Sequence, residues 1–223
     1  MNSIERRVRA ARFPVALTGA GISAPSGIPT FQGTWKGRPI RDFLSRDYFN
    51  AHPEGFFELY MDMVSWCRKP VNAAHQKLVE WDLPVITQNI DGLHTRAGSR
   101  RVIEMHGTLS QVVCRRCGRR MAAEAFVERI RPAFASGDSK AMRQAIRCDC
   151  GKIFDTDVVL YGDSVHGVEE AWALAEQCDL MLVVGTSLTT YPAAMLPEVA
   201  ARHGAEIILA NDDCIAQLTG DDE

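Results

Sequence analysis

The sequence predicts an α/β fold, a parallel sheet wound with helices on both faces, plus a smaller helical and metal-binding domain built from two insertions. Three observations carry this. Short apolar runs of strand length stand at residues 15–17, 84–87, 180–184 and 207–210, with a shorter one at 102–104. Helical patterns alternate with them, and residues 191–203 form a strand–helix–strand crossover that implies parallel pairing. Four of the seven cysteines fall in two close pairs within one stretch, residues 108–157.

Taken in order, residues 2–12 read as a basic helix with no apolar segment, so neither a leader nor a membrane span is expected there. The run 15–17 breaks at Gly19-Ala20-Gly21, where small residues let backbone N–H groups approach a phosphate; a plain tight turn explains such a break about as often. The third glycine comes late, at Gly27, so this is not the G-x-G-x-x-G fingerprint, and no Gly-Lys-Ser/Thr follows. Ser23 reads as the cap of a helix whose N-terminus favours an anion. Residues 36–80 carry a helix with Phe56, Leu59, Tyr60, Met63 and Val64 on one face, a stripe of core type. Residues 167–177 give another, with Val168, Ala171, Trp172 and Ala175 on its face.

Composition bounds the function. The chain has 223 residues, 46% hydrophobic and 24% charged, as in an ordinary globular protein, and its net charge of −3 gives no support to nucleic-acid or membrane partners. Arg115, Arg116, Arg119 and Arg120 read as a solvated surface around the cysteines. Cys114-x-x-Cys117 and Cys148-x-Cys150 suit one metal in a reducing, cytoplasmic compartment; four thiolates make a closed tetrahedral site, hence structural zinc. The one-residue spacer of the second pair gives a narrow bite.

Polar residues crowd the end of the run 84–87: Gln88, Asn89, Asp91 and His94. Ligands bind at the carboxyl ends of such strands, and an amide and a carboxylate there could hold a ribose and a carboxamide; a loop that merely stabilises its own turn fits as well. His106 stands at a strand end before Gly107, which leaves its imidazole room.

The motifs Gly19-Ala20-Gly21-Ile22-Ser23, Ser26-Gly27-Ile28-Pro29-Thr30-Phe31-Gln32, Gln88-Asn89-Ile90-Asp91 with His94, Glu104-Met105-His106-Gly107, the cysteine pairs, Tyr161-Gly162-Asp163, Gly185-Thr186-Ser187 and Asn211 come in the order of the sirtuins, which the chain closely resembles. The resemblance implies a Rossmann-like NAD-binding domain (residues 1–35, 81–107 and 158–223), a helical insertion (36–80) and a zinc module (108–157). It implies an NAD-dependent protein-lysine deacylase, most simply a deacetylase, that acts on acylated-lysine proteins and consumes NAD, releasing nicotinamide and O-acyl-ADP-ribose. His106 is then the general base, Asp91 grips the nicotinamide amide and Asn89 the ribose. Gly19, Ala20, Gly21, Ser23, Phe31, Gln32, Gln88, Gly185, Thr186, Ser187 and Asn211 complete the NAD site, and Tyr60, Met63, Tyr161 and Gly162 meet the substrate.

Three departures from the family pattern qualify this. Gln32 replaces an arginine, which keeps open ADP-ribosyl transfer or NAD hydrolysis on the same site; a non-catalytic NAD- or zinc-binding module is a separate alternative, against which His106, Asn89 and Asp91 weigh. Asp163 replaces a glutamate. Met63 stands where succinyl-removing relatives carry an arginine, so neutral acyl groups are expected. The chain also stops sooner after Asn211 than sirtuin cores usually do, so a reduced wall over the adenine is expected.

Overall fold

In the computed structural model, residues 2–30, 33–211 and 213–220 are described. Helix α1 (Ser3–Ala10) leads into strand β1 (Pro14–Thr18) and a 3-10 helix, Ala20–Ser26. A small hairpin, β2 (Thr34–Trp35) and β3 (Arg38–Pro39), precedes α2 (Arg46–Ala51), α3 (Pro53–Val64) and α4 (Ala73–Glu80). Then come β4 (Val85–Thr87), α5 (Leu93–Ala97), β5 (Val102–Glu104), β6 (Gly107–Val113), β7 (Arg120–Ala122), α6 (Ala123–Ala135), α7 (Ser139–Ala145) and β8 (Asp155–Val158). The chain closes with α8 (Val168–Gln177), β9 (Leu180–Val184), α9 (Leu196–Arg202), β10 (Glu206–Ala210) and α10 (Cys214–Thr219).

The main sheet runs β10-β9-β1-β4-β5, all pairs parallel. Because successive side chains alternate faces, Ala16, Val85, Leu182 and Ile208 pack beneath α1, α4 and α10, while Val15, Leu17, Ile86, Met181 and Val183 pack beneath α8 and α9. The central runs, β1, β4 and β9, are thus doubly buried strands, while the edge strand β10 leaves Leu209 58% exposed. The chain leaves β1 toward β4 and β5, then returns to the other side of β1 as β9 and β10. That reversal opens a crevice between the carboxyl ends of β1 and β9, where ligands bind in sheets of this kind.

The two insertions share one core. Phe56, Phe57 and Tyr60 of α3 join Phe126 of α6 and Phe154, with the Phe57 and Phe126 ring centroids 5.0 Å apart. The antiparallel sheet β7-β6-β8 completes this lobe.

Two expected helices differ. The helix read over 191–203 is broken: a cis Tyr191–Pro192 peptide is followed by a 3-10 turn, Ala193–Met195, and the α-helix begins only at Leu196. Ser23 caps nothing. It lies inside the 3-10 helix Ala20–Ser26, whose N-cap is Gly19. Among the described residues no helix is long and apolar enough to cross a membrane.

Candidate active site

Strand register sets the site. Thr18 pairs with Val184 on one side and Thr87 on the other, so the turns at Gly19, Gly185 and Gln88 leave the sheet at one level. The first two turns touch. A Cβ on Gly21 would lie 2.6 Å from the Gly185 Cα, and Gly185, at φ +62°, has its own absent Cβ position 2.3 Å from the Ile22 nitrogen. No side chain fits at either place. The N–H groups of Gly19 and Gly21 donate to Val184 O (3.0 Å) and Gly185 O (2.8 Å). The two glycines thus serve the close packing of two turns, with their own N–H groups spent, while Ala20 and Gly21 border the cavity and, among the described residues, the Ala20 N–H is left over.

Behind that packing lies a buried polar network. Ser23 Oγ donates to Asp91 Oδ2 (2.8 Å), and Asn89 Nδ2 donates to Ser23 Oγ (3.1 Å) and Gly19 O (3.0 Å). Asp91 Oδ1 accepts from Leu93 N (2.9 Å). Burial pushes the Asp91 carboxyl above its usual range, partly opposed by the Leu93 and Ser23 hydrogen bonds. Asp91 and Ser23 lie behind the cavity wall, whereas Asn89 lines it, and its buried Oδ1 has no partner there. Asn72 ties α4 to the loop, its Nδ2 donating to Ile22 O (2.7 Å) and Ser26 Oγ (2.9 Å). His94 is buried beside Thr18 Oγ1 (2.9 Å) and against the His75 ring, outside the cavity.

His106 follows β5 and reaches the cavity. Its Nδ1 lies 2.9 Å from Gln88 O. A carbonyl only accepts, so Nδ1 carries the proton and Nε2 is left as the acceptor. Burial lowers the imidazole pKa from 6.5, and the Gln88 bond offsets part of that. Gly107 has a different use from the one the sequence suggested. At φ +70° its missing Cβ would sit 1.9 Å from Asp157 O, so the glycine admits strand β8 and leaves the imidazole's space unaffected.

These groups line a cavity of about 700 Å³, a size suited to a nucleotide-sized ligand. Ala20, Gly21, Gln88, Asn89, His106, Tyr161, Gly162, Gly185, Thr186, Ser187 and Asn211 of the expected residues border it. Thr186 is held by Gln88 Oε1 (2.6 Å) and, through its N–H, by Asn211 Oδ1 (3.1 Å). Tyr161, 55% exposed, and Tyr191, 72% exposed, both border the cavity. Sequence reasoning missed Tyr191 and Thr30, the apolar strip Ile90, Val158, Val159 and Leu160, and Arg41. Only the burial of β8 and its following turn against this cavity reveals the strip.

Tyr60 and Met63 are not in the cavity. Both are fully buried in the aromatic core, and Tyr60 Oη donates to Leu109 O at 3.1 Å. Their helical face, read from its spacing as core and from the resemblance as substrate-lining, is turned to α6 and β6, so the Met63 argument for neutral acyl groups has no footing there. Asp163 is also occupied: Arg46 grips both its oxygens (2.8 and 2.7 Å) and Leu160 N donates to it (3.0 Å). Phe31 and Gln32 lie outside the described residues.

Away from the cavity, the sulfurs of Cys114, Cys117, Cys148 and Cys150 all lie within 4.8 Å of one another, with Cys114–Cys150 at 3.4 Å and Cys117–Cys148 at 3.6 Å. A tetrahedral ion with ~2.3 Å zinc–sulfur bonds sets sulfurs ~3.8 Å apart, so the quartet fits zinc despite the narrow second bite. The neighbouring arginines are spent: Arg115 on Asp155, Arg119 on Asp149, Arg120 on Asp157, and Arg116 on Cys150 O.

Comparison with known proteins agrees. The model of the Sir2 family matches residues 19–192. An NAD-dependent protein deacetylase of Sulfolobus acidocaldarius is 39% identical over 208 residues, covering 89% of this chain and 79% of that protein. An NAD-dependent protein deacylase of Thermococcus kodakarensis is 37% identical over 213 residues, 90% of this chain and 80% of that protein. A solved Sir2 structure with a p53 peptide and NAD+ superposes with a TM-score of 0.84 at 30% identity, covering 99% of this chain and 96% of that one. With the family model spanning most of its length and relatives of this closeness, the chain belongs to the Sir2 family.

Proposed function

We propose that the protein is an NAD-dependent protein-lysine deacylase, acting in the cytoplasm on acylated-lysine proteins and not on nucleic acid, with one structural zinc. The observation that carries the reading is His106: a half-buried imidazole whose tautomer is fixed by Gln88 O and whose Nε2 is free in the same cavity as the two glycine turns and an apolar strip. When bound, NAD supplies an electrophilic ribose carbon and the hydroxyl that receives the acyl group.

The chain's own residues do the rest. Ile90, Val158, Val159 and Leu160 give the acyl-lysine an apolar channel that excludes water. Tyr161 and Gly162 border the mouth where the peptide enters. Asn89, held rigid by Ser23 and Gly19, presents its unpartnered Oδ1 to a ribose hydroxyl or the nicotinamide amide. Asp91 acts through Ser23 as a positioning residue. Thr186, Ser187 and Asn211 offer hydroxyls and an amide to the adenosine side, and the family resemblance assigns Phe31 and Gln32 to the same NAD site. His106 Nε2 takes the ribose hydroxyl proton. The four cysteines hold zinc and leave the reaction untouched.

His106→Ala should lower deacylation ~10²–10⁴-fold while ADP-ribose binding, measured by calorimetry, stays within about twofold, because a base acts on the proton and not on ground-state binding. Near-native turnover would remove His106 from the mechanism.

A further inference from the structure

The cavity has one cation to offer a negatively charged ligand, and it is not in any of the motifs. Among the described residues that border it, Arg41 alone is a lysine or arginine, and the sole carboxylate, Asp163, is saturated by Arg46. The Arg41 guanidinium is exposed and makes no ion pair or hydrogen bond with any described residue, whereas nearby Arg38 faces Asp42 and Arg46 is doubly paired. The 3-10 turn that carries it, Ile40–Phe43, is anchored beside the loop over the crevice: Ile40 N donates to Gly33 O (3.0 Å), and Gly33 N donates to Thr30 O (3.0 Å). Thr30 lines the same cavity as Ala20 and Gly21.

A diphosphate entering this crevice finds little backbone help. The N–H groups of Gly19, Gly21, Gly185 and Thr186 all donate within the protein, so of these two turns only the neutral N–H groups of Ala20 and Ser187 remain for it. Residues Thr30, Phe31, Gln32 and Gly33 bring no charge. Of the two reactants, an acetyl-lysine carries no charge, and the dinucleotide carries two negative charges on its diphosphate. A free guanidinium with a planar donor fork is matched to that group.

We propose that Arg41 is the residue that recognises the diphosphate of the dinucleotide, supplying the fixed positive charge the glycine turns lack. The inference rests on the NAD-dependent reading above. It is tested with the full-length chain by calorimetry with two ligands, ADP-ribose and adenosine, and with acetyl- and succinyl-lysine forms of one peptide.

Arg41→Ala should weaken ADP-ribose binding ~10-fold and flatten its salt dependence, leave adenosine and both peptides within about twofold, and be largely rescued by Arg41→Lys. Unchanged ADP-ribose affinity in Arg41→Ala would overturn the assignment. So would an equal loss for adenosine, the mark of a purely structural effect, or a loss confined to the succinyl peptide, which would place the cation on the acyl side. If the native protein fails to bind ADP-ribose, the NAD reading itself falls; if it binds and Arg41→Ala binds equally, only Arg41 falls.

Discussion

Burial lowers the proton affinity of the His106 imidazole below its ordinary 6.5, against the smaller opposing effect of Gln88 O. A base works when neutral, so activity is lost as pH falls through the folded-state pKa, which lies below 6.5. The acidic limb of kcat/KM should therefore have its midpoint below 6.5 and be flat above it, and a midpoint at 7 or higher would contradict the assignment. The histidine stood out in the sequence through the family resemblance, its place at a strand end before glycine fitting a structural role as well. Its tautomer was not legible there, because that depends on the carbonyl of Gln88, eighteen positions earlier. Ser23 was misread for the same kind of reason: a serine after glycines has the look of a helix cap, yet the carboxylate that claims its hydroxyl is Asp91. Tyr60 and Met63 show the limit of register transfer. Helical spacing gave their face correctly as apolar, but the surface that face meets is α6, a partner from the other insertion.

Elements assembled from such residues behave as units. The five strands of the main sheet were legible because parallel strands covered on both faces are short continuous apolar runs, whereas the antiparallel strands β6, β7 and β8 of the small lobe were not read. The helix over 191–203 was overdrawn because its apolar spacing continues through residues 193–195, which form a 3-10 turn ahead of the α-helix that begins at Leu196. The cysteine pairs were legible from spacing, and the sulfur quartet draws β6, β7 and the 148–150 turn together at one end of the small lobe. Protein purified without added zinc should carry close to one zinc per chain. Cys148→Ser should lower both metal content and melting temperature, whereas full metal content in that variant would mean a different ligand set. Stability and activity separate here, since the quartet borders none of the cavity: partial chelation should lower the melting temperature before it lowers initial rates measured on the still-folded fraction.

At the scale of the molecule, the sheet domain and the small lobe meet along the cavity, and one arginine pins the join. Arg46, at the start of α2, bonds Asp155 of β8 and Asp163 beyond it, and its N–H and Leu44 O bracket Tyr161. Both ion pairs are three-quarters or more buried. Arg46→Ala strands Asp163 and should cost ~1–3 kcal/mol in chemical denaturation, with the peptide KM rising more than the NAD KM because the turn from Leu160 to Asp163, which carries Tyr161, loses its side-chain anchor; equal stability would show that the pairs are surface ornament. The clamp was invisible in the sequence, its partners lying more than a hundred positions apart.

What the fold brings together in this way is a single cavity that must serve two reactants at once, and that is the claim to test. Incubating the protein with NAD and an acetyl-lysine peptide, and resolving products by mass spectrometry, should give free lysine peptide, nicotinamide and O-acetyl-ADP-ribose in equal amounts. Nicotinamide released with ADP-ribose or an ADP-ribosylated protein and no deacetylated peptide, or no turnover at all, would contradict it.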